Sequence, residues 1–172
     1  MLKLLGAVLL LAACGGWGFS SAWQLRQRLA DLRELRRIAS VLRQEIAYAG
    51  MALPEALRRI GNRTEGIFKE FLDSLAAELT RCPGDSFHLI FSEQTDEMLS
   101  RTAREPADLA DFKELGKYLG YLDRGMQLSN LDLYLSEAEG KIERLTEELP
   151  ARKKLFQTMG VLAGVFLAIL FI

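Results

Sequence analysis

Residues 24–49 read QLRQRLADLRELRRIASVLRQEIAYA. Apolar side chains fall at Leu25, Leu29, Leu32, Leu35, Ala39, Leu42, Ile46 and Ala49. Those steps of three and four put them on one face of a helix. Arg26, Arg33, Arg36, Arg37 and Arg43 mostly occupy the other faces. The pattern predicts a long amphipathic helix whose apolar face needs covering, so the segments that follow are read for partners.

Those partners are helices. Gly50 interrupts the first run, and Pro54 suits the opening turn of a short helix over 54–60, closed by Gly61 and Asn62. A third helix is expected over 64–81, with Ile67, Phe68, Phe71, Leu72, Leu75 and Leu79 inward. Thr64 is its expected cap, and Cys82-Pro83-Gly84 its stop. A fourth over 85–103 carries Phe87, Ile90, Phe91, Met98 and Leu99, and a fifth from Pro106 uses Leu109, Phe112, Leu115 and Leu119. The sixth, over 123–148, presents Leu128, Leu131, Leu135, Ala138, Ile142 and Leu145 as a heptad-like seam continued by Leu149. Pro150 is expected to kink or break it. Period-two alternation and β-branched runs are absent, so the expected fold class is all-α, an antiparallel bundle of about six helices.

Both ends of the chain are apolar. Residues 4–23 carry no charge, nor do residues 155–172, and each stretch suits a hydrocarbon layer of roughly 30 Å. The expected organisation is a transmembrane helix over 1–23, a helical bundle over 24–154 and a transmembrane helix over 155–172. Only Lys3 precedes the first stretch, whereas Arg26, Arg28, Arg33, Arg36, Arg37 and Arg43 follow it; Arg152, Lys153 and Lys154 precede the second. Positive flanks stay in the cytoplasm, so the bundle is expected there, on a multi-pass membrane protein. The rival reading is an exported lipoprotein: Leu11-Ala12-Ala13-Cys14 resembles a lipoprotein signal, and acylation at Cys14 would place the bundle outside as a binding module.

The formal net charge of -1 conceals an asymmetry. Residues 24–63 hold nine arginines against four acids, and residues 64–149 hold nine basic residues against nineteen acids. That balance gives no support to nucleic-acid binding. The two cysteines, Cys14 and Cys82, make no disulfide framework. No catalytic constellation is visible: His88 is the only histidine, no glycine-rich phosphate loop precedes a helix, and Cys-x-x-Cys and His-x-x-x-His are missing. The chain is read as non-enzymatic, with no cofactor, metal or small-molecule substrate.

Contact features are more informative. Gly160, Gly164 and Ala168 line one face of the second apolar stretch, and Cys14, Gly18 and Ala22 repeat the spacing on the first. Small faces let helix backbones approach closely in lipid. The basic stripe of Arg26, Arg28, Arg33, Arg36 and Arg37 suits either anionic lipid or salt bridges to the acidic helices of the same bundle.

Four blocks carry a resemblance: MLKLLGAVLLLAA (1–13), LRELRRIASVLRQEIAYAGMALPEALRRIG (32–61), ELGKYLGYLDRGMQLSNLDLYLSEAE (114–139) and KLFQTMGVLAGVFLAILFI (154–172). In order and spacing they resemble the stage III sporulation protein AB family of endospore-forming bacteria, departing from its pattern in the cysteine at position 14. The resemblance implies a platform component of the secretion-like channel between mother cell and forespore, with its bundle similar to the cytoplasmic domains of type II secretion platform proteins. It also implies other stage III sporulation proteins as partners, above all the ATPase-like AA protein. The matching blocks point to Glu45, Tyr48, Glu114, Asp123 and Gln127, which join Arg33, Arg36 and Arg37 as candidate partner contacts. They further point to Pro54, Gly116 and Gly120 as structural positions. Gly116 and Gly120 suit close packing or a helix end, and Asp123 suits the cap of the last helix.

Overall fold

The computed structural model describes the backbone of residues 2–49, 52–82, 86–101, 105–120 and 123–171, and the side chains of 23–48, 52–82, 86–98, 105–120, 123–150 and 158. In chain order come α1 (Leu2–Gln44), a π-helical turn (Glu45–Ala49), α2 (Leu53–Gly61), α3 (Gly66–Arg81), α4 (Phe87–Arg101), α5 (Pro106–Leu119) and α6 (Arg124–Phe171). No strand occurs among the described residues, and the all-α helical bundle is the fold observed.

Contacts divide the chain into two compact units. One joins residues 1–30 to residues 141–172; the other is Asp31–Gly140. The first buries Leu29, Ile142 and Leu145 and leaves Trp23 exposed. Among the described residues no helix is long and apolar enough to cross a membrane. The two uncharged stretches lie almost wholly on side chains outside that description, as do Cys14, Gly18, Ala22, Gly160, Gly164 and Ala168.

The second unit holds the main core. α1 contributes Leu32, Leu35, Ile38, Ala39 and Leu42, all nearly inaccessible, as their helical spacing requires. Phe71, Phe91 and Phe112, from α3, α4 and α5, meet edge-on or tilted, with ring centroids 5.2–5.9 Å apart. Phe87 and Tyr134 extend this cluster at 5.5 and 5.9 Å. Burying each such aromatic or leucine contributes roughly 1.5–3 kcal/mol. α2 packs on α3, α3 on α4 and α4 on α5, each helix folding back on the one before it. Within this unit α6 runs antiparallel to α1, because Arg36 pairs with Glu139 and Arg43 with Asp132. Seven residues separate both the arginines and the acids, two turns of each helix.

Three local expectations change. The first amphipathic run does not stay α-helical to its end; Glu45–Ala49 widens into a π-helical turn. Thr64 does not cap α3. Its buried hydroxyl donates to Ile60 O at 2.8 Å and accepts from Arg37 Nη2 at 2.8 Å, so it closes α2 instead. α3 starts at Gly66, whose φ of +64° is a conformation that glycine adopts without steric cost. Pro150 does not end α6, which runs through it for 48 residues in all. A single missing N–H removes one bond from a ladder continuous on either side, and the helix absorbs that loss.

Candidate functional site

Asp31 and Gly140 bound the second unit where the chain enters and leaves it. The end of the unit remote from them is built from the π-helical turn, the last residues of α5 and the first turn of α6. Most positions that the matching blocks single out gather there.

The π-helical turn is braced from two sides. Glu45 receives Arg59 Nη1 of α2 on both carboxylate oxygens, at 3.3 and 3.4 Å, and its side chain is mostly covered. Ala47 offers its carbonyl to the Arg124 guanidinium of α6. Next to Ala47 in the same turn, Tyr48 is 86 % exposed. A widened helical turn leaves carbonyls without their usual partners, and the arginine satisfies one of them.

The neighbouring α5–α6 connection is fixed by backbone accounting. Asp123 Oδ2 accepts from the Met126 amide at 3.0 Å, capping α6, and the Gln127 amide donates to Asp123 O at 3.1 Å. Gln127 Nε2 donates to Leu119 O at 2.8 Å, tying the end of α5 to the start of α6. Gly120 ends α5 beside Phe87, where an added Cβ would stand 3.1 Å from the Phe87 Cβ. One turn earlier Gly116 lies against the Phe91 ring, and a Cβ there would fall 2.3 Å from Cδ1. Glycine at 116 is therefore what lets α4 and α5 approach.

Other expected contacts are placed elsewhere. Arg36 and Arg37 are engaged within the unit: Arg36 with Glu139, and Arg37 with Glu34 (2.9 Å from Nε), Thr64 Oγ1 and Arg63 O. The hydrogen bond to Glu34 raises the Arg37 pKa above its usual value. Arg33 is exposed, and no cation-binding carboxylate of the described residues pairs with it. Glu114 lies on the outer surface of α5 with Lys117, whose pKa it raises chiefly by hydrogen bonding. Pro54 occupies the first turn of α2, where its missing N–H leaves no helical bond unmade. Spacing did not mark Arg59 or Arg124, because their acceptors lie 14 and 77 positions away in the chain.

The unit offers little to chemistry. Among the described residues no three histidine, cysteine or acidic side chains converge as a metal site. A cleft of about 340 Å³ between α3 and α4 is lined by Ile67, Glu70, Phe71, Asp73, Ser74, Gln94, Glu97 and Met98. Asp73 there is paired with Lys69 at 3.0 Å. Tyr134 is buried beside Phe112; burial, followed by the charges of Asp111 and Asp108, raises its pKa and keeps the phenol neutral. Cys82 is a free, half-buried thiol.

The comparisons with known proteins agree with this architecture. A curated relative, stage III sporulation protein AB of Bacillus subtilis (strain 168), is 25% identical over 170 residues, covering 99% of both chains. A solved structure of stage III sporulation protein AB superposes with a TM-score of 0.66 at 19% identity, over 72% of this chain and 97% of that one. Residues 3–172 match the family described as stage III sporulation protein AB. The chain belongs to the stage III sporulation protein AB family.

Proposed function

We propose that this protein is a membrane-held scaffold of a secretion-like channel between mother cell and forespore, and that the braced end of its Asp31–Gly140 unit docks the ATPase-like stage III sporulation protein AA. The uncharged stretches 4–23 and 155–172 hold it in the membrane, and the basic residues beside them keep the unit in the mother-cell cytoplasm. The observation that carries the docking reading is Tyr48. A tyrosine 86 % exposed on a turn held by Arg59 and Arg124 is a large, amphipathic contact already ordered before any partner arrives. Met126, 50 % exposed in the first turn of α6 that Asp123 caps, adds a second interface-favoured side chain.

The test is complementation of a deletion strain in a spore former. The gene as it stands restores heat-resistant spores, and Tyr48→Ala is expected to lower their yield at least tenfold with normal membrane levels of the protein. Full spore yield from Tyr48→Ala and from Tyr48→Asp would remove the docking claim. Full yield from the deletion strain itself would remove the role.

A further inference from the structure

The fold divides the basic stripe of α1. Arg36 and Arg37 are engaged inside the Asp31–Gly140 unit, with Glu139 and with Glu34 and Thr64. Arg26 belongs to the other unit; it is exposed, and no acid among the described residues pairs with it. Trp23, three residues earlier on the same side of the helix, is 59 % exposed. The uncharged stretch 4–23 ends on that indole.

The same unit brings a second helix alongside. It joins residues 1–30 to residues 141–172 and buries Leu29 of α1 and Ile142 and Leu145 of α6. Counted toward the uncharged stretches, Trp23 lies six residues from Leu29 and Arg152 seven from Leu145, about 9 Å and about 10 Å along the two helices. Lys153, Lys154 and the uncharged stretch 155–172 follow at once. Residues 24–30 and 149–154 together hold Arg26, Arg28, Arg152, Lys153 and Lys154 and no acid. The nearest acids, Asp31 on α1 and Glu147 and Glu148 on α6, stand on the side away from the uncharged stretches.

We propose that this basic collar binds anionic phospholipid headgroups, with Trp23 seated at the water–lipid boundary. An indole pairs a broad apolar ring with one N–H donor, which suits the interface better than either side of it. Cations placed where two uncharged stretches begin come within a Debye length, about 8–10 Å, of headgroup phosphates. Arg33 stands ten residues past Trp23, about 15 Å along α1 and beyond that range. Continuity with the uncharged stretches favours lipid over an acidic protein. A bilayer that accepts 4–23 and 155–172 brings its phosphates to the collar with no further partner. The proposal rests on the membrane-held reading, and its test separates the two.

The test uses the full chain with Trp17→Phe, which leaves Trp23 as its tryptophan, in phosphatidylcholine nanodiscs that contain a minor share of brominated lipid. Bromine quenches indole fluorescence at contact range. Brominated phosphatidylglycerol is expected to quench Trp23 about twofold more, or better, than brominated phosphatidylcholine at equal mole fraction. The excess should shrink in high salt. Bromine near the headgroup end of the acyl chain is expected to quench more than bromine near the chain terminus. Arg26→Gln is expected to reduce the excess, and its combination with Arg152→Gln, Lys153→Gln and Lys154→Gln to abolish it. Arg33→Gln is expected to leave it unchanged. Equal quenching by the two headgroups would overturn the collar and leave the membrane reading intact. So would an excess that survives the quadruple variant or is lost with Arg33→Gln. Absence of quenching by every brominated lipid would overturn both. Binding of a glutamate-rich peptide to the same nanodiscs, lost in the quadruple variant while the two headgroups quench alike, would assign the collar to an acidic protein instead.

Discussion

At the scale of single residues, Gly116 sets the closest approach in the unit. Glycine inside a helix is disfavoured by about 1 kcal/mol relative to alanine, so alanine would gain on propensity alone. Here the added methyl would meet Phe91, which is itself in contact with Phe71, Phe87 and Phe112, so the ring has no vacant direction in which to move. Overpacking outweighs propensity. Gly116→Ala is expected to lower stability by about 2 kcal/mol, read as an earlier urea midpoint with unchanged slope. An unchanged midpoint would show that α4 and α5 part more easily than the contact implies. The family blocks pointed to Gly116, and its spacing from Gly120 suited close packing or a helix end; the ring it meets was not legible, because Phe91 lies on another helix.

At the scale of elements, steps of three and four were enough to locate the helices and most of the core. Leu32, Leu35, Leu42, Phe71, Leu75, Phe112 and Leu131 are all buried as their stripes require. Distant polar contacts were not legible. The π-helical turn reads as ordinary helix because Arg59 and Arg124 shape it from other elements. For Arg36 and Arg37 the sequence left open anionic lipid or salt bridges within the bundle; Arg36 takes the second through Glu139, whereas the contact of Arg37 with Thr64 arises only in the fold. The α1–α6 ladder makes a prediction at this scale. The hydrogen bond from Arg43 holds the Asp132 carboxyl below its usual value, so it stays ionised in the folded protein where the unfolded chain would take up a proton. Its contribution is therefore present above the ordinary carboxylate range and lost as pH falls through the lower folded value. Asp132→Asn is expected to lower the thermal midpoint slightly at neutral pH and low salt. The gap should close on acidification and shrink in high salt, since the pair is exposed. A gap that persists at acid pH would show that Asp132 acts by packing.

At the scale of the whole molecule, fold and family were legible from helical spacing and from four ordered blocks, whereas the braced end was legible only as scattered positions. Glu45, Tyr48, Gly120, Asp123 and Gln127 come from two distant blocks, and folding brings them to one end of one unit. Two of them, Glu45 and Asp123, are spent on bracing and capping, which leaves Tyr48 as the side chain that faces outward. The account therefore stands most directly on what touches position 48. A photo-crosslinking amino acid placed there, in sporulating cells that carry the full-length protein in the membrane, reads that contact. The account predicts an ultraviolet-dependent adduct with the ATPase-like stage III sporulation protein AA, absent when the same group replaces exposed Thr80 at the end of α3. An adduct of equal yield at both positions, or none at 48, would contradict it.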